Sequence, residues 1–198
     1  GATTDTSSVR AFGGLVGRNF GSIVGTVVGA TSTTYATGDV SAPPGAENVF
    51  NLGGLVGNNA FGGIISGATA SGAVSGGSNA SATGGLVGFN TGAIEKTYAT
   101  GAVEGSSFSG GLVGTNAGGT ITQSYATGAV EGHDSVGGLI GDNESISTIT
   151  QVYATGEVDG GVATLAGLTG AEGSPTTPGA FDQTLGGSAF VTRLSPDG

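Results

Sequence analysis

Two short motifs recur along this chain, and their order limits what it can fold into more than any other feature. The first is GGLVG or GGLIG, which occurs at residues 13–17, 53–57, 84–88, 110–114 and 137–141. The second is YATG, which occurs at residues 35–38, 98–101, 125–128 and 153–156. Successive GGL motifs start 40, 31, 26 and 27 residues apart. Repeats of this length are typical of solenoids, because one unit alone cannot bury its apolar side chains.

Apolar residues occupy fixed columns within the units. The main columns are Leu15, Leu55, Leu86, Leu112 and Leu139; Ile65, Ile94, Ile121 and Ile149; and Val40, Val74, Val103, Val130 and Val158. Short β-prone runs alternate with Gly and Asn, and no helical period is present. Stacked as coils, the copies would place like residues on like about 4.8 Å apart. We therefore expect an all-β, parallel β-solenoid, right-handed, with five to six coils and two or three sheets per coil.

The repeats divide the chain into three parts. Residues 1–12 are polar and are predicted to form an N-terminal strand or cap. Residues 13–170 are predicted to form the solenoid, with AGLTG at 166–170 beginning a sixth coil. Residues 171–198 are predicted to form a C-terminal β-hairpin of strands 180–185 and 189–194, joined at 186–187. Such a hairpin could cover the edge of the last coil or offer that edge to another molecule.

Glycine and asparagine recur at fixed positions between the β-prone runs of each unit. Glycine at turns is expected to supply positive φ angles. An asparagine lies two residues beyond each GGL motif, at Asn19, Asn59, Asn90, Asn116 and Asn143. Asparagine tolerates the left-handed conformation of turns, and stacked asparagines can also hydrogen-bond to one another as an amide ladder. The sequence leaves both roles open.

Composition excludes several classes of partner. The chain has 14 acidic and four basic residues, and its net charge is −10. Nucleic acid or an anionic membrane would need a basic footprint, so neither is an expected partner. No stretch is long and apolar enough to enter a bilayer directly. There is no cysteine and a single histidine, His133, which lies in a polar connection and is expected to be solvated. We therefore predict no catalytic residues. The chain does not begin with methionine, and Gly1 is expected to be a processed or trimmed end.

The repeats resemble the GLUG motif, named for Gly-Leu-hydrophobic-Gly. The resemblance covers about residues 13–170 and rests on GGLVG, the following asparagine and YATGxV in the same order. GLUG repeats are found in large secreted bacterial proteins such as filamentous-haemagglutinin-like adhesins, autotransported surface proteins and some immunoglobulin A peptidases. There they look like stalk or binding parts. The resemblance implies a secreted or cell-surface, non-enzymatic role, with a host or matrix glycan or protein as a possible ligand. The second unit departs from the pattern, because ATASGAV at 68–74 lacks the tyrosine.

The last 25 residues carry a second resemblance. SPTTPGAFDQTLGGSAFVTRLSPDG, at 174–198, is similar to a single repeat of bacterial β-propellers. One repeat cannot close a propeller. We expect it to serve as a cap or as a contact between subunits. Together with the open edges of a solenoid, it predicts a homo-oligomer that stacks head to tail or donates strands into a surface fibre or adhesin stalk.

An acidic column is the candidate metal site. Glu104, Glu131 and Asp159 recur at one position of the repeat, below Ser41 and Ser75. Like charges one strand spacing apart repel, and a bound Ca²⁺ would relieve the repulsion with oxygen ligands. The alternative is a solvated acidic stripe. No other cofactor is expected.

Tyrosine and threonine columns are the candidate binding surface. The predicted ladder consists of Tyr35, Tyr98, Tyr125 and Tyr153 with Thr37, Thr100, Thr127 and Thr155. Exposed tyrosines would suit an adhesive surface or a carbohydrate-binding module of a larger secreted enzyme. A flat threonine-bearing face would suit an ice-binding protein. A second hydroxyl column, Thr34, Thr97 and Ser124, lies three residues earlier, so strand parity predicts that it points to the opposite face.

Overall fold

The computed structural model describes residues 11–28, 31–43, 46, 48–144, 147–160, 165–168 and 189–192. Over this part the chain is an all-β parallel solenoid, which confirms the predicted fold class. Each of five coils contributes one strand to each of five five-stranded sheets, so about four turns of the chain separate the first strand of a sheet from its last. The expectation of two or three sheets per coil is wrong, because the backbone bends at more points than the apolar columns reveal. The handedness of the coil stays a prediction.

The first two sheets carry the GGL motif at the bend between them. The strands of sheet 1 are Phe12–Gly13 (β1), Val49–Gly53 (β8), Ala80–Gly84 (β13), Ser107–Gly110 (β18) and Asp134–Gly137 (β23). The strands of sheet 2 are Val16–Asn19 (β2), Val56–Asn59 (β9), Val87–Asn90 (β14), Val113–Ala117 (β19) and Ile140–Glu144 (β24). Every neighbouring pair is parallel, with GGL aligned on GGL.

The other three sheets complete each coil. The strands of sheet 3 are Ser22–Val24 (β3), Ile64–Ser66 (β10), Ala93–Glu95 (β15), Thr120–Thr122 (β20) and Thr148–Thr150 (β25). Those of sheet 4 are Thr34–Ala36 (β6), Ala68–Ala70 (β11), Tyr98–Ala99 (β16), Tyr125–Ala126 (β21) and Tyr153–Ala154 (β26). Those of sheet 5 are Val40–Ser41 (β7), Val74–Ser75 (β12), Val103–Glu104 (β17), Val130–Gly132 (β22) and Val158–Gly160 (β27).

Three small elements lie outside these sheets. Val27–Val28 (β4) and Thr31–Ser32 (β5) form an antiparallel pair inserted in the first coil. Gly77–Asn79 forms one 3-10 turn in the second. Leu165–Leu168 (β28) pairs antiparallel with Ala189–Thr192 (β29).

The start of a sixth coil at residue 166 is not formed. The stretch lies in β28, which pairs with β29, contacts β23 and β26, and joins none of the five sheets. Ala166 stands where the coils have the first glycine of GGL, a position with no room for a Cβ atom. The predicted strand 180–185, residues 1–10 and most of 171–198 lie outside the described residues.

The core consists of columns that stack like on like. The main cluster contains the buried Leu, Val and Ile columns and a column of alanines, represented by Leu86, Val87, Ile94 and Ala99. Two smaller clusters lie between sheets 5 and 1, around Val74 and Val130. Because each unit has few large side chains, its stability depends on the coils above and below.

Glycine serves mainly for close packing of the backbone. At Gly53 and its equivalents, an added Cβ would overlap the carbonyl oxygen three residues later in the same coil. At Gly54, Gly85 and Gly111 it would overlap the glycine carbonyl of the next coil. None of these glycines has a positive φ angle. Among the described glycines, positive φ occurs at Gly62, Gly67, Gly77 and Gly118, so the predicted role holds only at those turns.

Two columns of left-handed backbone run through the second to fifth coils. One runs through the strands of sheet 1 and the other lies between sheets 3 and 4. The members are Asn51, Ala82, Phe108 and Ser135 in the first, and Gly67, Lys96, Gln123 and Gln151 in the second. The recurring asparagines after GGL are not among them, so the left-handed role predicted for those asparagines is wrong.

The asparagines form the amide ladder instead, and that prediction is confirmed. Each Nδ2 donates to the Oδ1 of the next asparagine, at 2.8 Å from Asn59 to Asn90 and 2.8 Å from Asn90 to Asn116. The series begins at Asn19 and ends at Asn143. Asn59, Asn90 and Asn116 are fully buried. The ladder therefore satisfies polar groups that would otherwise be costly to bury.

Replacing Gly85 with alanine tests the packing role of GGL. The added Cβ would overlap the backbone of Gly111 in the next coil, so the coils must separate locally. We expect a loss of about 1–3 kcal/mol in the free energy of unfolding, measured by chemical denaturation. Gly21→Ala is the matched control, because nothing lies within 4 Å of its added Cβ. Equal loss in the two variants would contradict the packing role.

Replacing Asn90 with aspartate tests the amide ladder. The carboxylate keeps the shape but cannot donate to Asn116. We expect a loss of about 3 kcal/mol near neutral pH, because a buried charge then faces an acceptor. Burial would raise the pKa of the new carboxyl, and the protonated form could donate again. Stability should therefore fall as pH rises above the ordinary aspartate pKa of about 3.9. Asn58→Asp, at a half-buried neighbouring position, is the control for melting curves across pH. The same loss in that variant would count against the ladder.

Candidate functional site

The segment YATGAVE runs from sheet 4 through a bend at its glycine into sheet 5, and its residues alternate between buried and outward positions. In the third coil Ala99, Gly101 and Val103 are buried, whereas Thr100 and Glu104 are exposed. Tyr, Thr, Ala and Glu therefore line up outward in four parallel columns. We call this outer surface of sheets 4 and 5 the YTAE face. Its columns run along the solenoid axis and repeat once per coil.

Three tyrosines of this face stack on one another. The ring centroids of Tyr98 and Tyr125 are 4.9 Å apart, as are those of Tyr125 and Tyr153, and the planes are within 6° of parallel. Burial raises the pKa of Tyr125, and its neighbours Tyr153 and Tyr98 raise this pKa further. Tyr35 occupies the same column, but Thr69 lies in register between Tyr35 and Tyr98. The structure therefore stacks three of the four predicted tyrosines and leaves a gap before the fourth.

The predicted threonines Thr37, Thr100, Thr127 and Thr155 are exposed beside the tyrosines. Thr97 and Ser124 of the second hydroxyl column are buried and hydrogen-bonded at 3.1 Å, which confirms the parity prediction. Threonine therefore forms one outward column here, and ice binding on this face stays a prediction. A two-abreast pattern exists elsewhere, in TIT of β20 and β25, where Thr120 pairs with Thr148. This TIT pattern was not singled out from the sequence, although both units contain it.

The acidic column follows the expected register. Glu104 pairs with Glu131, and Glu131 pairs with Asp159, and all three side chains are exposed on the outer surface of sheet 5. The Ser75 hydroxyl donates to Glu104 at 3.1 Å. A groove of about 370 Å³ runs beside the column, over Ala102 and Ala129. Among the described residues no three His, Cys, Asp or Glu side chains converge as metal ligands. Calcium binding here stays a prediction.

The single histidine of the chain lies at the surface of the solenoid. His133 is exposed in the turn between β22 and β23, where its backbone N–H donates to the Ser106 carbonyl at 2.8 Å. Its position agrees with the expected solvated histidine. In the described ranges no helix has the length and apolar character needed to cross a membrane.

The first two coils expose apolar side chains. Leu15 is 51% exposed, although its equivalents Leu55, Leu86 and Leu112 are fully buried. The cause is that Leu15 lies in the first described coil, and none of the described residues stacks as a coil beyond it. Phe61, in the turn after Asn59, is 89% exposed. Phe61 was not among the predicted site residues, and its sequence signal is a phenylalanine between Ala60 and Gly62.

Alkaline pH tests the tyrosine stack. The raised pKa of Tyr125 means that folding disfavours its phenolate, so stability should be full below the ordinary tyrosine pKa of about 10 and fall above it. We expect the melting temperature to drop as the pH rises above about 10. Tyr125→Phe should reduce this drop, whereas Tyr35→Phe, outside the stack, should leave it unchanged. A drop of equal size in all three proteins would show that the stack is not its source.

Comparison with known proteins agrees with the repeat architecture. No curated protein and no solved structure matches the chain. Residues 79–104 and 105–131 each match the family model of the GLUG motif. These two matches cover the third coil and most of the fourth, from β13 to β22. Over residues 79–131 the chain is therefore similar to the GLUG motif, and each of the two matched stretches corresponds to one coil of the solenoid.

Proposed function

We propose that this chain is a non-enzymatic structural rod that self-associates and works outside the cell, as a segment of an adhesin or a subunit of a surface fibre. The GLUG-repeat solenoid fits a structural role, because its side chains serve mainly to stack coil on coil. The extracellular setting is supported by the resemblance of the repeats to secreted surface proteins. The acidic, sparsely charged composition suits a rod exposed to solvent.

The open edge of the first coil, as far as the described residues show it, is the observation that carries self-association. Its strands β1, β2, β3, β6 and β7 are each the edge of a parallel sheet. Edge strands present unpaired N–H and C=O groups, and a strand from another copy can satisfy them. Leu15 adds an apolar contact at the same end. Burying one leucine side chain contributes about 1.5–3 kcal/mol.

The two ends of the solenoid differ. At the fifth coil Leu139 is only 3% exposed, and β28 contacts β23 and β26 there. The first coil is therefore the more open end among the described residues. We place the principal contact between copies at this end.

Substituting Leu15 with glutamate tests the proposed contact. A charge at the first coil would face desolvation in any end contact, so we expect weaker association than in the unmodified chain. The measurements are light scattering after size exclusion and electron microscopy over a range of concentrations. Thr100→Glu is the control, because it adds the same charge to an exposed side of the rod.

The two variants distinguish a contact at the first coil from a general effect of added charge. Association that weakens in Leu15→Glu and persists in Thr100→Glu supports the end contact. An unmodified chain that stays monomeric at every concentration would refute self-association. Equal weakening in both variants would indicate a general charge effect and overturn the end contact.

A further inference from the structure

A groove follows the solenoid axis along sheet 5, on the YTAE face. Its volume is about 370 Å³, and its lining residues come from the second to the fifth coil. At the strand spacing of about 4.8 Å these coils span about 14 Å. In the second, third and fourth coils the floor consists of one small, outward side chain each, Ala73, Ala102 and Ala129. The groove is therefore elongated along the axis and has an apolar floor.

Carboxylates line this groove at a regular interval. Glu104 pairs with Glu131, and Glu131 pairs with Asp159, so the three side chains start about 4.8 Å apart. All three are exposed and line the groove. The Ser75 hydroxyl donates to Oε2 of Glu104 at 3.1 Å and so helps to hold that carboxylate in place. In the fifth coil Glu157 takes the position of the floor alanines. The lining thus presents negative charge in each of the last three coils.

Among the described residues, no lysine or arginine lines the groove to compensate this charge. Lys96 is paired with Glu95 at 2.7 Å. Arg18 lies in sheet 2, where its guanidinium carbon is 4.7 Å from the centroid of the Phe20 ring. A groove lined by one sign of charge raises the local concentration of oppositely charged ligands. Charge complementarity therefore requires a cationic occupant.

The carboxylates form a line along the axis, which favours a linear ligand with several cationic groups. In a polyamine with three methylene groups between its nitrogens, four staggered single bonds of about 1.5 Å place successive nitrogens about 5 Å apart. This distance matches the spacing of the coils. Four methylene groups would give about 6 Å, so successive nitrogens would fall out of step with the carboxylates.

We propose that the groove binds a linear polyamine whose amines are joined by three-carbon chains. Its ammonium groups lie on Glu104, Glu131 and Asp159, one per coil, and its methylene groups lie over Ala102 and Ala129. Hydrogen bonds from an ammonium to a carboxylate are stronger than bonds between neutral groups. The alanine floor also removes methylene surface from water. This inference goes beyond the structural role and does not depend on self-association.

Titration calorimetry of the full chain with two triamines tests the spacing. Bis(3-aminopropyl)amine and bis(4-aminobutyl)amine have the same number of amines and differ in the length of the chains between them. The titration uses low ionic strength and about pH 6.5, where carboxylates and ammonium groups are charged. We expect one three-carbon triamine per chain, with a Kd roughly fivefold or more below that of the four-carbon triamine. The longer triamine has more apolar surface, so burial alone would give the opposite preference.

Three variants test the place of binding. Glu131→Gln removes the central carboxylate and keeps its shape, whereas Ala129→Leu raises the floor and leaves the charge unchanged. We expect each of these two to raise the Kd of the three-carbon triamine by roughly fivefold or more. Glu144→Gln is the matched control, because it removes the same charge from an exposed position in sheet 2. It should change this Kd by less than about twofold. Melting curves verify the fold of each variant.

Four results would overturn the polyamine site. Equal affinity for the two triamines would show attraction by charge alone, without a match of spacing. Equal weakening in Glu131→Gln and Glu144→Gln would show a general charge effect. Binding of Ca²⁺ without binding of either triamine would assign the acidic column to a metal ion. Absence of any binding would also overturn the site, and the proposed structural rod would still be decided separately, by light scattering.

Discussion

The paired glycines of GGL set the constraint on which the structure depends. At this bend the backbones of successive coils approach so closely that the second glycine has no space for a side chain. One contact of this kind per coil fixes the axial position of each coil relative to the next. All other columns, from leucine to tyrosine, then stack in register. Ala166 occupies the first glycine position of a later copy of the motif, and its strand does not join the sheets of the solenoid.

Stacking identical residues helps some side chains and strains others. An amide carries both a donor and an acceptor, so Asn59 and Asn90 satisfy each other without any change of sequence. Aromatic rings also stack favourably, as Tyr98 and Tyr125 do. Carboxylates gain nothing from such stacking, and the Glu104 column accordingly lies at the exposed surface, where water screens it. The repeat thus places each residue type at a position where an identical residue in the next coil is an acceptable neighbour.

Much of the fold was predictable from the sequence, because the solenoid converts sequence columns directly into spatial neighbours. The apolar columns, the amide ladder and the opposite faces of Thr97 and Thr100 all followed from period and parity. The five sheets did not, because left-handed residues such as Ala82 and Gln123 carry no distinct sequence signal. The glycine role was only partly foreseen, since crowding between coils depends on geometry that the period does not give. For the candidate surface, the sequence predicted the columns and the missing tyrosine of the second unit, but not the exposed Phe61 in the turn after Asn59.

The amide ladder has a direction. Every described Nδ2 in it donates toward the later coil, so Asn19 presents the acceptor end and Asn143 the donor end. Two copies joined by their first coils would bring acceptor against acceptor and could not continue the ladder. A second copy that extends the ladder at the first coil must therefore contact it through its own fifth coil. In that copy β28 must move away from the fifth coil. The rod is therefore polar, and a fibre built by continuing its ladder would have two chemically different tips.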